Sequence, residues 1–174
     1  MLVWLLACSP APEDIAKAIA SDNPQMREDG AKIAQNYDDE VVVTALIAVL
    51  SDPSEQVRLN AIESLAELEA TSAGSPLIAR LADDPSPKVR RAAVDALGRL
   101  VVKESIPVII TYMAGFAPDD REQLAGIWAL GNIGSAGLPA ASKKQALDAL
   151  VGLRNATADK YIRYQASAAL RTLK

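Results

Sequence analysis

The chain has 174 residues, half of them apolar and 4% aromatic, with a net charge of −4, one cysteine and no histidine. That is one domain's worth of chain, with ample material for a core. Without histidine a Cys–His or Ser–His nucleophile pair is impossible. A zinc site would have to be built from carboxylates alone. The lysines and arginines are scattered and make no basic stripe for nucleic acid.

MLVWLLACSPAP opens the chain. Leu5-Leu6-Ala7-Cys8 resembles a bacterial lipobox, in which the cysteine is acylated and the chain is cut just before it. The resemblance implies a signal remnant over 1–7, lipidation at Cys8, and a tether over 8–12 of at most about 18 Å when extended. The competing reading makes Leu2 to Leu6 an extra apolar segment that caps the first helices. No segment is long enough to span a bilayer: VVVTALIAVL, at 41–50, is ten residues.

Downstream, two kinds of helix alternate. The first kind starts with a turn residue and carries one apolar stripe. At 52–68, DPSEQVRLNAIESLAEL places Val57, Ala61, Leu65 and Leu68 on one helical face, with Arg58 on its shoulder. At 83–100, DDPSPKVRRAAVDALGRL repeats it 32 residues on, with Val89, Arg90, Ala93, Leu97 and Leu100. Asp84 before Pro85 reads as the helix cap. Met26 and Arg27 belong to an earlier copy, which has Gly30 where Ala61 and Ala93 stand. Ala129, Leu130 and Ile133 belong to a later one, which has Glu122-Gln123 in place of Val-Arg, with Arg121 as the substitute cation. Ile162, Arg163, Ala169 and Leu170 form the last. The second kind of helix lies between these: VVVTALIAVL, PLIARLA, IPVIITYM and QALDALVGL, with Pro76, Pro107 and Pro139 near their starts. The unit is helix, turn, helix, and a period in the 20 to 50 range marks a solenoid.

The motif D-P-x-x-x-V-R-x-x-A-x-x-A-L-x-x-L, met almost in full at 52–68 and 84–100, resembles HEAT repeats of the short bacterial type. The resemblance implies an all-α fold, an α-solenoid of about five helical hairpins over 13–174. The expected repeats are 13–37, 39–69, 72–101, 103–134 and 136–174. It also implies a ladder in which the Arg of one copy meets the capping Asp of the next, drawn from Asp52, Arg58, Asp84, Arg90 and Arg163. In this family the second helix of each pair lines the inner surface. The residues expected there for partner binding are Arg91, Asp95, Leu124, Trp128 and Tyr164. Leu124 and Trp128 are neighbours at i, i+4. Trp128 is either an exposed anchor of this surface or folded into the core between helices.

No constellation for chemistry stands out. Asp38–Asp39, Asp83–Asp84 and Asp119–Asp120 precede helices and read as caps, with calcium binding as the competing reading. Gly131, Gly134 and Gly137 lack the strand and lysine of a phosphate loop and read as a turn. No catalytic residue, metal site or cofactor is expected. The leading expectation is a non-enzymatic scaffold for a protein partner, tethered by Cys8 to the bacterial envelope, at the outer membrane facing the periplasm. The alternative is a cytoplasmic protein related to the HEAT-like bilin lyases, acting on or chaperoning another protein. A third reading is a subunit or fragment of a larger solenoid.

Overall fold

The computed structural model describes residues 10–173, so Cys8 and the expected signal remnant lie outside the described residues. The described residues are helical throughout, with no strand among them. They fall into two compact units, one ending at Ala73 and one beginning at Gly74.

The first unit holds α1 (Pro12–Ile19), α2 (Pro24–Ile33), α3 (Glu40–Ala48) and α4 (Glu55–Glu67). α1 packs on α2 and α3, and α2 packs on α4. Asn23 starts α2 by accepting the amide of Gln25, and Asp39 starts α3 by accepting that of Val41. Ile15, Ile19, Val42, Leu46, Val57, Ala61 and Leu65 close the core at 0% exposure. Each fully buried Leu or Ile contributes about 1.5–3 kcal/mol relative to leaving it in water. Gly30 stands where later copies carry alanine because α1 is too close: a Cβ there would lie 2.9 Å from the backbone nitrogen of Ile19.

The second unit holds α5 (Gly74–Asp83), α6 (Pro87–Arg99), α7 (Ile106–Ala114), α8 (Gln123–Ser135), α9 (Ala140–Ala156) and α10 (Lys160–Thr172). α5 packs on α6, α6 on α8 and α8 on α10, with α7 and α9 behind them. The expected stripe of Val89, Ala93, Ala96, Leu97 and Leu100 is buried. Its alanines let α8 come close.

Two local expectations are corrected here. α6 begins later than Asp84 suggests. Its cap is Ser86, whose hydroxyl accepts the amide of Val89, and the proline in its first turn is Pro87. Asp84 sits before the cap and accepts the amide of Ser86 at 2.9 Å, as Asp52 accepts that of Ser54 at 2.8 Å. Gly131 and Gly134 are not turn residues. Both are buried inside α8, where a Cβ on Gly134 would come 2.5 Å from Leu173, and one on Gly131 3.2 Å from Ala169. Gly137 alone of the three makes the turn, at φ +74°, a conformation that glycine reaches without steric cost.

Candidate functional site

The arginines of four copies share one structural contact. Each guanidinium folds back on the turn before its own helix and satisfies carbonyls of that turn. Arg27 donates to the carbonyls of Ser21 and Asp22, Arg58 to those of Asp52 and Pro53, and Arg90 to those of Asp84 and Pro85. Arg163 donates to the carbonyl of Thr157. In the fourth copy the substitute is Gln123, not Arg121. Gln123 is 3% exposed, and its Nε2 reaches the carbonyls of Met113, Phe116 and Ala117 at 3.0–3.2 Å. Arg121 lies in the exposed turn before α8.

Arg27, which is not among the expected ladder residues, reaches the acid of the next copy: its Nε and Nη2 meet the Asp52 carboxylate at 2.6 and 3.3 Å. Arg90 meets only carbonyls, because the residue in register with Asp52 and Asp84 in the next copy is Ala117. The acid of that turn points the other way. Asp119 accepts the Thr157 hydroxyl and the amides of Ala158 and Asp159. The Thr157 bond first, then those amides, holds its carboxyl below its ordinary 3.8. Asp120 accepts the amide of Glu122 at 2.9 Å. Among the described residues no three acidic or cysteine side chains converge as metal ligands.

The expected binding residues separate into two groups on the face of α6, α8 and α10. Arg91 and Asp95, one turn apart on α6, form a charged cluster with Glu122. Arg91 donates to Glu122 at 2.9 Å, and the Tyr112 hydroxyl donates to the other Glu122 oxygen at 3.1 Å. Burial pushes the Asp95 carboxyl above 3.8, the Arg91 charge pulls it back, and Glu122 pushes it further up. Burial and the bond to Glu122 raise the Tyr112 phenol well above its usual value.

The second group lines a groove of about 380 Å³ between α8 and α10. Leu124 and Trp128 form one wall, as their i, i+4 spacing requires. Trp128 is 44% exposed. Part of its ring lies over Gly98 of α6, where a Cβ would come 2.8 Å from ring carbon Cζ3, and the rest is open to the groove. It is therefore neither a free surface residue nor a core residue. The opposite wall carries Tyr161. The stripe of α10 that lines the groove is Tyr161, Gln165, Ala168 and Thr172. Tyr164 is the more exposed ring, at 62%, and does not line it. Spacing back from Ala168 by seven rather than four residues would have found Tyr161.

No described helix is long and apolar enough to cross a membrane. The family model for HEAT repeats matches residues 12–85 and 74–171. No curated protein matches the chain. Among solved structures, the complex of CpcE and CpcF of phycocyanin lyase from Nostoc sp. PCC7120 is similar with a TM-score of 0.77 and 24% identity. That match covers 97% of this chain and 67% of the other. An engineered protein is similar with a TM-score of 0.54 and 16% identity, over 95% of this chain and 99% of the other.

Proposed function

The chain belongs to the HEAT-repeat family, and from that premise we propose that it works by binding another protein through the α8–α10 groove. The observation that carries this is the half-exposed indole of Trp128 facing Tyr161 across an open groove. An exposed Trp and Tyr lining one groove are the residue types of an interaction hot spot. Trp128 is fixed by Gly98 beneath it, so little side-chain freedom is lost on binding. Arg91, Asp95 and Glu122 add charges of both signs beside it, which suit orientation of a partner more than raw affinity.

The partner class we favour is a second helical-repeat chain or the protein it acts on. The fold likeness to a complex of two lyase proteins, CpcE and CpcF, supports this choice. On that reading the chain is a relative of the bilin lyases that holds or delivers a protein substrate. Acylation of Cys8 would add an anchor to this role and does not compete with it.

The test is affinity capture from the native source with wild-type protein, Tyr161→Ala and Trp128→Phe. Tyr161 is over half exposed, so its truncation should leave the melting temperature within about 2 °C while releasing the partner by tenfold or more, the loss of one hot spot. A partner retained equally by all three proteins would sink the groove as the binding surface. Recovery of a helical-repeat chain or a tetrapyrrole-bearing protein would favour the lyase-related reading.

A further inference from the structure

The fourth copy breaks the repeat at two places in register, and one of them, Ala117, leaves an arginine half used. Counting six residues back from Arg27, Arg58, Arg90, Gln123 and Arg163 reaches Ser21, Asp52, Asp84, Ala117 and Thr157. Arg27 shows the complete arrangement. Its Nη1 holds carbonyls of its own turn, and its Nε and Nη2 hold the carboxylate of Asp52 from the next copy. Arg90 has the first half: its Nη1 holds the Asp84 carbonyl at 2.7 Å. Its next copy offers Ala117, and among the described residues its Nε and Nη2 donate to nothing.

Arg90 also lines a pocket of about 530 Å³, together with Leu81, Pro107, Thr111, Tyr112 and Phe116. The rings of Tyr112 and Phe116 stand edge to face, with centroids 5.0 Å apart. The Thr111 hydroxyl is engaged with the Pro107 carbonyl and the Tyr112 hydroxyl with Glu122. Arg90 thus supplies the unengaged donors in an otherwise apolar lining. A guanidinium presenting Nε and one Nη as a fork matches a carboxylate with two parallel bonds.

We propose that this pocket is a receptor for an organic carboxylate. The Arg90 fork takes the acid group as Arg27 takes Asp52, and the apolar body of the ligand lies against Pro107, Tyr112 and Phe116. The site is separate from the α8–α10 groove and stands whether or not that groove binds a protein.

The test uses the full chain with ¹⁵N-labelled arginine and follows the Nε–H resonance of Arg90. Phenylacetate should shift it saturably, and the uncharged phenylacetamide should bind at least tenfold more weakly. Ala117→Asp should fill the fork from within, raise the melting temperature, and weaken phenylacetate at least tenfold. That rise should vanish in the Arg90→Gln background, which separates a Arg90–Asp contact from a general effect of the new charge. A blocked aspartyl-phenylalanine dipeptide distinguishes the sources: tighter binding than phenylacetate assigns the site to a protein's acidic side chain, and weaker binding to a free small acid. Equal binding of acid and amide, no saturation by any of the three probes, or an Ala117→Asp effect that persists without Arg90 would overturn the proposal.

Discussion

Three glycines in the helices of the second unit receive the same substitution with opposite expected outcomes. Replacing a helical Gly by Ala gains about 0.8–1.0 kcal/mol from backbone entropy. Gly152 in α9 has nothing within 4 Å of the added Cβ, so Gly152→Ala should realise that gain and melt about 2–4 °C higher. Gly126 in α8 would place its Cβ 2.3 Å from Cγ and 2.5 Å from Sδ of Met113. Methionine is flexible and can move aside, so Gly126→Ala should fall near neutral. Gly98 in α6 would place its Cβ 2.8 Å from the Ala129 Cα and 2.9 Å from the Ala129 Cβ. Backbone cannot turn away, so α6 and α8 must separate, at an overpacking cost of about 1–3 kcal/mol. The net for Gly98→Ala is a loss of about 0–2 kcal/mol, up to about 8 °C of melting temperature. Differential scanning calorimetry of the three variants reads the order directly. In a Trp4→Phe background the emission of Trp128 should also shift in Gly98→Ala, because its ring rests on that glycine. Gly98→Ala melting at or above Gly152→Ala would refute the close-approach account of the α6–α8 seam.

Two further predictions concern charge. Asp52→Asn should destabilise by about 3–5 kcal/mol, since it leaves a guanidinium buried without its counter-ion, the side chains of Arg27 and Asp52 being 14% and 5% exposed. Adding Arg27→Met to that variant should recover part of the loss in urea denaturation. Asp95 and Asp119 should act oppositely with pH. The Asp95 pKa is raised by burial, so the folded state binds its proton more tightly than the unfolded state does. Its charge therefore costs stability above the folded pKa, and Asp95→Asn should be the more stable protein at pH 7 but not below about pH 4. The Asp119 pKa is lowered from 3.8 by its bonds to Thr157, Asp159 and Ala158. Its contribution is present above 3.8 and lost as pH falls through the depressed value, so Asp119→Asn should be less stable at pH 7 and converge with wild type in stronger acid. Thermal melts from pH 2.5 to 7 check both signs.

The architecture was legible because it is written five times. Val57, Ala61 and Leu65 recur as Val89, Ala93 and Leu97, and all six are at 0% exposure. A single copy would have left the period uncertain. Local detail was less legible wherever two chemistries compete for one position. In DDPSPK either Asp84 or Ser86 can cap, and two prolines can each fill a first turn; the backbone chose Ser86 and Pro87. In GNIGSAG the glycines resemble a loop, yet Gly131 and Gly134 serve helix approach, a property of the neighbours Ala169 and Leu173. Trp128 and Leu124 follow from i, i+4 spacing on their own helix, whereas on α10 steps of four and of seven back from Ala168 reach different tyrosines, and only the packing of α10 against α8 selects Tyr161 for the groove.

The α7–α8 turn is where the repeat is least regular, and its departures are costly. Gln123 satisfies three carbonyls with one amide nitrogen, but its Oε1 is buried without a partner, a defect worth about 1–3 kcal/mol. An arginine at that register, as in the other four copies, carries donors only and would leave no such acceptor. Ala117 likewise forgoes a carboxylate that Arg90 is placed to receive. Drift toward a weaker copy would explain one of these changes, but both lie beside features the other turns lack. Ala117 leaves the Arg90 fork open beside a pocket, and Glu122, which displaces the valine of Val57 and Val89, ties Arg91 to Tyr112 at the edge of the binding face. In a stack whose stability is a sum of unit and interface terms, a weakened seam is tolerable if its neighbours hold. The second unit spends its irregularity where two candidate binding surfaces begin, which is the reason to look for function there and not in the more regular copies before it.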